Sequence, residues 1–361
     1  MRILHIIADA NPGGGTTAVM GLCQDLKKQQ DLDVGILSSY NENLKKFCDD
    51  NSISYFSTDF FTLNVWLLSS TLAELVDYFQ PEIIHVHGTR ASLIFFFARA
   101  RLRASYKTVY TVHGYHFLHR GRLRRIIMLP IERYMSSIYD VVVHVSHSDA
   151  HLASVHGLFF KKQTIINNGF DFENYHDIDS KDIDIIFIGR LHEQKNPLFA
   201  LKVAQEILNR RILFVGSGPL QEQFEAKLSE SCKYSNIEWI PAVAADRALE
   251  LLARSKILLF PSRWEGFPIT PIEAMALGTV VVASDIAGTN EILNEGCGML
   301  IEGFNSGDYA KVIETILDND ANRAVLAGVA RKKARARYSR KKLSARYFEI
   351  YLSLRSPGAQ P

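Results

Sequence analysis

The run IIFIGRLHEQKNPLFALKVAQ, residues 185–205, holds the pattern that sets the fold. Ile185–Ile188 is a short strand-forming run that stops at Gly189, and Asn196 and Pro197 then supply the cap and the first position of a helix. Strand, turn and helix in that order are half of a βαβ unit. The same unit recurs outward in both directions. Ile3–Ala8, Val34–Leu37, Ile83–Val86, Thr108–Val112, Val141–Val145 and Thr164–Ile166 read as strands before it, and Leu213–Val215, Ile237–Ile240, Ile257–Phe260 and Val280–Ala283 after it. Helix-length segments separate them, which predicts parallel sheets. Between Phe170 and Asp184 the chain turns acidic and loses its apolar periodicity, so the boundary falls there. The reading is α/β: two Rossmann-like, doubly wound domains at 1–175 and 183–335, with 336–361 a terminal helix and tail packing across both. Ligands of such sheets sit at the carboxyl ends of the strands.

Length agrees, since 361 residues at about 150 per domain suggest two domains, each able to bury a core. Apolar residues at 47% and charged residues at 22% exclude disordered, collagen-like and coiled-coil classes. A formal charge of +2 argues against a dedicated nucleic-acid binder. Cys23, Cys48, Cys232 and Cys297 show neither CxxC nor metal-ligand spacing, as a reducing compartment permits. Ile3–Ala8, interrupted by His5, is too short for a signal-peptide core, and Ala91–Ala98 is too short to span a membrane. The expectation is a cytoplasmic protein whose only membrane contact is peripheral.

Three loops carry chemistry. Pro12-Gly13-Gly14-Gly15-Thr16-Thr17-Ala18 follows the first strand and enters a helix near Thr16; it reads either as a tight turn or as an anion or acceptor loop at a helix start. A nicotinamide reading fails because the second strand ends Leu37-Ser38-Ser39, without the ribose-binding acid. Arg190 and Lys195 flank the second loop, where two cations and a helix start suit a departing diphosphate; the alternative is two solvated cations. Gly216-Ser217-Gly218-Pro219 reads as a packing turn. In the third loop Thr270-x-x-Glu273, with Pro271, spells a capping box that starts a helix at Thr270. Glu265 precedes it, and paired carboxylates there suit sugar hydroxyls.

These motifs, with Val112-His113-Gly114 and Ile166-Asn167-Asn168-Gly169-Phe170-Asp171, resemble in order the retaining GT-B glycosyltransferases of family 4, over almost the whole chain. The resemblance implies a deep cleft between the domains. It assigns Arg190 and Lys195, with Gly189, to the nucleotide diphosphate, and Glu273 to the ribose. Glu265, Gly266 and the Phe267, Pro268, Ile269 and Thr270 backbone would hold the transferred sugar, His113 would lie beside its anomeric carbon, and Gly14 or Gly15 would face diphosphate or acceptor. The catalytic set is then His113, Arg190, Lys195 and Glu265. Two positions depart from the pattern: Pro268 replaces a common Gly and has no N–H, and Asn196 replaces the Gly after the Lys. The function implied is transfer of a sugar from a nucleotide diphosphate sugar, a UDP-sugar by the family's commonest choice, to a glycan or lipid-linked sugar in bacterial surface polysaccharide synthesis. Its rivals are a sugar-nucleotide epimerase and a silent nucleotide-sugar or glycan-binding protein.

No cofactor and no essential metal are expected. Asp177-Ile178-Asp179 and Asp182-Ile183-Asp184 mimic a metal-binding DxD but precede a strand rather than close one. His147 and His151 share a helix spacing without the glutamate of a zinc motif. His85 and His87 end a strand pointing the same way, into the cleft. From Arg90 to Arg133 ten Lys or Arg residues face one acid, Glu132; with aromatic residues interleaved, this region reads as a peripheral contact with anionic membrane or a soluble basic face.

Overall fold

The structure, a computed structural model, describes residues 1–11, 13–29, 31–62, 64–102, 105–115, 118, 121–173, 180–230 and 235–355. Pro12, Asp177, Ile178, Asp179 and Cys232, named above, lie outside the described residues, as do Arg103 and Arg120 of the basic region and the two histidines His116 and His119 that follow Val112-His113-Gly114.

The chain divides into two units, Met1–Asn168 together with the segment from Arg340, and Gly169–Ser339. The break comes ahead of the acidic stretch because Phe170 already bridges to Ser339, its N–H donating to the Tyr338 carbonyl at 2.9 Å. The terminal helix Arg340–Leu354 belongs to the first unit.

In the first unit β1 (Arg2–Ile7), β2 (Asp33–Ser38), β3 (Ser54–Ser57), β4 (Ile83–His87), β5 (Lys107–Val112), β6 (Val141–His144) and β7 (Gln163–Ile165) form a parallel sheet in the order β3-β2-β1-β4-β5-β6-β7. The helices are α1 (Gly14–Lys27), α2 (Glu42–Asp50), α3 (Val65–Phe79), α4 (Gly88–Ala98), α5 (Arg122–Ser136) and α6 (His147–Val155). Strand residues alternate between the two faces. Ile3, Ile7, Val34, Ile36 and Val109 pack with α1, α2 and the terminal helix, whereas Leu4, Ile6, Ile84, Val86 and Tyr110 pack with α3 and α4. Covering both faces is what makes these strands read as unbroken apolar runs.

The second unit repeats the plan with β8 (Ile183–Ile188), β9 (Ile212–Val215), β10 (Ile237–Ile240), β11 (Ser255–Phe260), β12 (Val280–Ser284) and β13 (Met299–Ile301), ordered β10-β9-β8-β11-β12-β13 and parallel. Its helices are α7 (Pro197–Gln205), α8 (Gln221–Ser229), α9 (Ala245–Ala253), α10 (Ile269–Ala276), α11 (Ala287–Leu293), α12 (Ser306–Leu317) and α13 (Asp320–Arg337); Arg340–Leu354 is α14. β3 and β13 escape the sequence reading because each is a short edge strand. Strand order reverses between β1 and β4 and again between β8 and β11, and each reversal opens a crevice at the strands' carboxyl ends. No described helix is long and apolar enough to cross a membrane.

Candidate functional site

Two loops flank the reversal point of the second unit, residues 189–196 after β8 and 261–268 after β11. The first is a compact turn. The His192 carbonyl accepts from the N–H groups of Lys195 (3.0 Å) and Asn196 (3.2 Å). Asn196 takes the left-handed conformation, φ 56°, which Asn tolerates better than most residues; that explains how it replaces Gly. Pro197 opens α7 as expected, but the Asn196 side chain makes no capping bond. The turn leaves Arg190 exposed at the end of β8 and sends Lys195 back over the sheet.

Lys195 meets the second loop there. Its ammonium lies 2.5 Å from Glu265 Oε1 and 4.7 Å above the Phe260 ring. Gln194 holds the other side of the same carboxylate, its Nε2 donating to Glu265 Oε2 at 3.1 Å and to the Trp264 carbonyl at 3.0 Å. The Arg263 N–H closes the clamp on the Gln194 carbonyl at 2.8 Å. Gln194 is a residue that sequence reasoning missed, since a lone loop Gln carries no signal until its partner is known. Gly288, at the start of α11, lets that helix approach: a Cβ there would stand 2.6 Å from the Gly266 carbonyl oxygen.

Glu273 corrects the sequence reading. α10 begins at Ile269 with Pro268 at the cap position and no side-chain capping bond, so the Thr270–Glu273 capping box does not form. Thr270 already lies inside the first turn, where its hydroxyl cannot serve as the cap. Of the four amides that a helix start leaves without intrahelical partners, those at Pro268 and Pro271 have no N–H. Only Ile269 and Thr270 have one to offer. Glu273 is freed from capping. Burial pushes its carboxyl up to about 7, with the Lys195 charge pulling the other way. One ammonium therefore acts on both carboxylates. Phe267 is buried and packs edge-on against Tyr338, anchoring the loop.

Gly216 and Gly218 form the packing turn. A Cβ at Gly216 would fall 2.0 Å from the Gly189 carbonyl oxygen, and one at Gly218 would fall 2.6 Å from that of Leu191. Asp182 pairs with Arg211 and Arg254, and Asp184 with Lys256; these carboxylates are occupied by cationic side chains.

In the first unit α1 starts at Gly14, two residues before the expected Thr16, with Gly13 at its cap position. Gly14 and Gly15 therefore belong to its first turn. His113 follows β5 directly, and a Cβ at Gly15 would stand 3.8 Å from its ring. His85 and His87 depart from expectation. They are buried with His5 on the sheet face covered by α14, because Tyr347 and Tyr351 of that helix return over it. The ligand nitrogens of His5, His85 and His87 lie within 4.8 Å of one another. Apart from His5 Nε2, however, the ring nitrogens of these three are engaged with each other, with His113 or with hydroxyl groups. The Ser146 hydroxyl caps α6 by accepting the Asp149 N–H and donates to the Asp149 carboxylate, both at 2.9 Å.

Two parallel doubly wound units in one chain, each with candidate residues at the carboxyl ends of its strands, make up the architecture of the GT-B transferases. Residues 12–174 match the family Glycosyltransferase Family 4, and residues 171–333 match Glycosyl transferases group 1. The chain belongs to this glycosyltransferase family and is a transferase. It is 24% identical over 341 residues to an uncharacterized 41.2 kDa protein of the cps region of Klebsiella pneumoniae, covering 88% of this chain and 90% of that one. It is 23% identical over 327 residues to the UDP-Gal:alpha-D-GlcNAc-diphosphoundecaprenol alpha-1,3-galactosyltransferase of Escherichia coli, covering 82% of each. Among solved structures, Anabaena Alr3699/HepE in complex with UDP-glucose superposes with a TM-score of 0.82 at 18% identity, over 98% of this chain and 100% of that one.

Proposed function

We propose that the chain transfers a sugar from a UDP-sugar to a hydroxyl of a lipid-linked glycan, with retention of the donor's anomeric configuration and without an essential metal. The observation that carries this reading is Lys195, which bridges Glu265 directly and acts on the charge of Glu273, beside the reversal point of the second sheet. A diphosphate bound there exchanges for Glu265 as the partner of the ammonium. Glu265 is thereby released toward sugar hydroxyls, for which a carboxylate is a good acceptor. Arg190 and Lys195 then stabilise the charge that builds on the departing diphosphate, as a metal does in other transferases. The diphosphate oxygen takes the acceptor proton on the face it leaves, so no strong protein base is needed. Glu273, with its raised proton affinity, remains able to pair with ribose hydroxyls. The UDP-sugar and polyprenyl-diphosphate substrates in the name of the Escherichia coli relative, and the UDP-glucose held by the Anabaena protein, support the choice of donor and acceptor class.

Membrane contact falls to α3, α4 and α5, which lie side by side. They expose Trp66, Leu67, Phe97, Ile126, Ile127 and Tyr134 among Arg90, Arg99, Arg125 and Arg133. Arg90 and Arg101 lie over the rings of Phe61 and Trp66. Apolar rings between cations suit an anionic lipid surface, and this peripheral contact would place the enzyme on the cytoplasmic face of the membrane.

The deciding assay incubates the chain with UDP-sugars, with and without a polyprenyl-diphosphate-linked glycan and in the presence of a chelator. UDP release that requires the acceptor and is lowered about 100-fold by Lys195→Ala is the expected result. Donor conversion without acceptor would make the chain an epimerase. Binding of UDP-sugar with no turnover would make it a binding protein.

A further inference from the structure

The loop that carries Glu265 is held from behind as well as from the Lys195 side. Its start is tied to the end of β12 and through it to α11. The Ser284 hydroxyl donates to the Ser262 carbonyl at 2.5 Å, and the Thr289 hydroxyl donates to the Ser284 carbonyl at 2.5 Å while accepting the Ile286 N–H at 3.3 Å. Ser262, Ser284 and Thr289 are all buried, and away from water such bonds gain strength. Farther along, the loop rests on Gly288. A Cβ there would lie 2.6 Å from the Gly266 carbonyl oxygen, 2.9 Å from that of Glu265 and 3.0 Å from the Glu265 Cβ. Two of these three atoms belong to the residue whose carboxylate Lys195 and Gln194 grip.

The backbone of α11 does not itself demand glycine at this position. Gly288 has no left-handed φ, and alanine is the better helix former, so the contact alone speaks against a side chain. The nearest atoms are backbone oxygens, which cannot rotate aside as the end of a side chain can. Ordinary contact begins at about 3.4 Å, so a methyl group would drive the Glu265–Gly266 backbone off α11 by about 0.8 Å.

We propose that Gly288 is a positioning residue for the donor sugar: with Ser284 and Thr289 it sets the depth at which α11 seats the Glu265–Gly266 backbone, and so where the Glu265 carboxylate stands when the sugar is bound. The consequence for catalysis rests on the proposed function, in which the diphosphate takes the Lys195 ammonium and Glu265 turns to sugar hydroxyls. At that moment the ion pair no longer holds the carboxylate. Gln194 retains one oxygen, and α11 still supports the backbone. A carboxylate seated by backbone packing keeps its place as its cation leaves, and a misplacement of about 1 Å at a reacting substrate costs about 100-fold in rate.

The test compares Gly288→Ala with Gly328→Ala, a control on the exposed side of α13 where a Cβ would meet nothing within 4 Å. In the transfer assay Gly288→Ala should lower kcat about 10- to 100-fold, and Gly328→Ala should match the parent. Inhibition by UDP alone should stay within about twofold of the parent, because the atoms nearest Gly288 belong to Glu265 and Gly266 and not to Arg190, Lys195 or Glu273. Thr289→Val should lower kcat in the same direction, and Thr289→Ser, which keeps the hydroxyl, should restore it. Parent-like kcat in Gly288→Ala overturns the proposal, as does a loss of UDP binding equal to the loss of kcat, the mark of a loosened unit. Should Gly288→Ala not fold, parent-like kcat in Thr289→Val overturns it instead. A parent chain that transfers no sugar would sink the proposed function alone. Crystal structures of parent and Gly288→Ala would then decide the positioning: a Glu265 carboxylate displaced from its place in the parent supports it, and an unmoved one overturns it.

Discussion

Glu273→Gln should stabilise the second unit above neutral pH, the opposite of what loss of a helix cap would do. Burial raises the carboxyl from 4.5 to about 7 against the attraction of Lys195. Between those values the folded chain keeps a proton that the unfolded chain has released. Stability therefore falls as pH rises through the window and reaches its floor above about pH 7. At about 1.4 kcal/mol per pH unit, the ionised carboxylate costs the fold about 3 kcal/mol, which the residue's partial exposure trims to about 2 kcal/mol. Glutamine is neutral throughout and escapes the cost. Thermal unfolding at about pH 5 and about pH 8 should show the variant near the parent at the lower value. At the higher value it should be more stable, by about 4–8 °C in Tm for a unit of this size. An equal loss of about 1 kcal/mol at both pH values would be the signature of a broken cap and would refute the reasoning. The same variant should also weaken UDP-sugar binding, read as a smaller ligand-induced rise in Tm.

Gln194→Ala frees one oxygen of Glu265 from its donor, and the donor-sugar KM should rise about tenfold, the worth of one hydrogen bond to a charged group; an unchanged KM would show that the clamp is idle. Gly216→Ala forces a methyl group onto the Gly189 carbonyl at a φ of +140°. It should cost about 3 kcal/mol in urea unfolding, and a variant as stable as the parent would mean the turn has room to move. Paired Trp66→Ser and Ile126→Ser changes should lower co-sedimentation with anionic vesicles by about tenfold or more while leaving transfer to a water-soluble acceptor intact. Equal binding of parent and variant would remove α3 and α5 from the membrane contact.

The elements that a linear reading captured are those whose signal is local. β8 and the start of α7 follow from a β-branched run, a glycine and an Asn-Pro pair. The packing role of Gly216 and Gly218 follows from glycines spaced between a strand and a helix. Where the reading failed, two local signals competed or a short element had no signal of its own. Thr270-x-x-Glu273 spells a capping box, yet Pro268 starts α10 before Thr270 can cap it. Ser54–Ser57 is a strand because β2 offers it an edge, and its own residues say little.

From the order of residues alone came the two-domain α/β plan, the loops that bear Arg190, Lys195 and Glu265, and the resemblance to a glycosyltransferase family. All of these depend on neighbours within a few positions along the chain. The partners of those residues came from the fold. Glu265 lies 70 positions from Lys195, and Tyr351 lies 266 positions from the His85 it bonds. No periodicity links groups so far apart, because what joins them is the stacking of parallel strands and the return of the last helix over the first sheet. The protonation of Glu273 is set in the same way, by burial and by the charge of a Lys195 that packing brings near it.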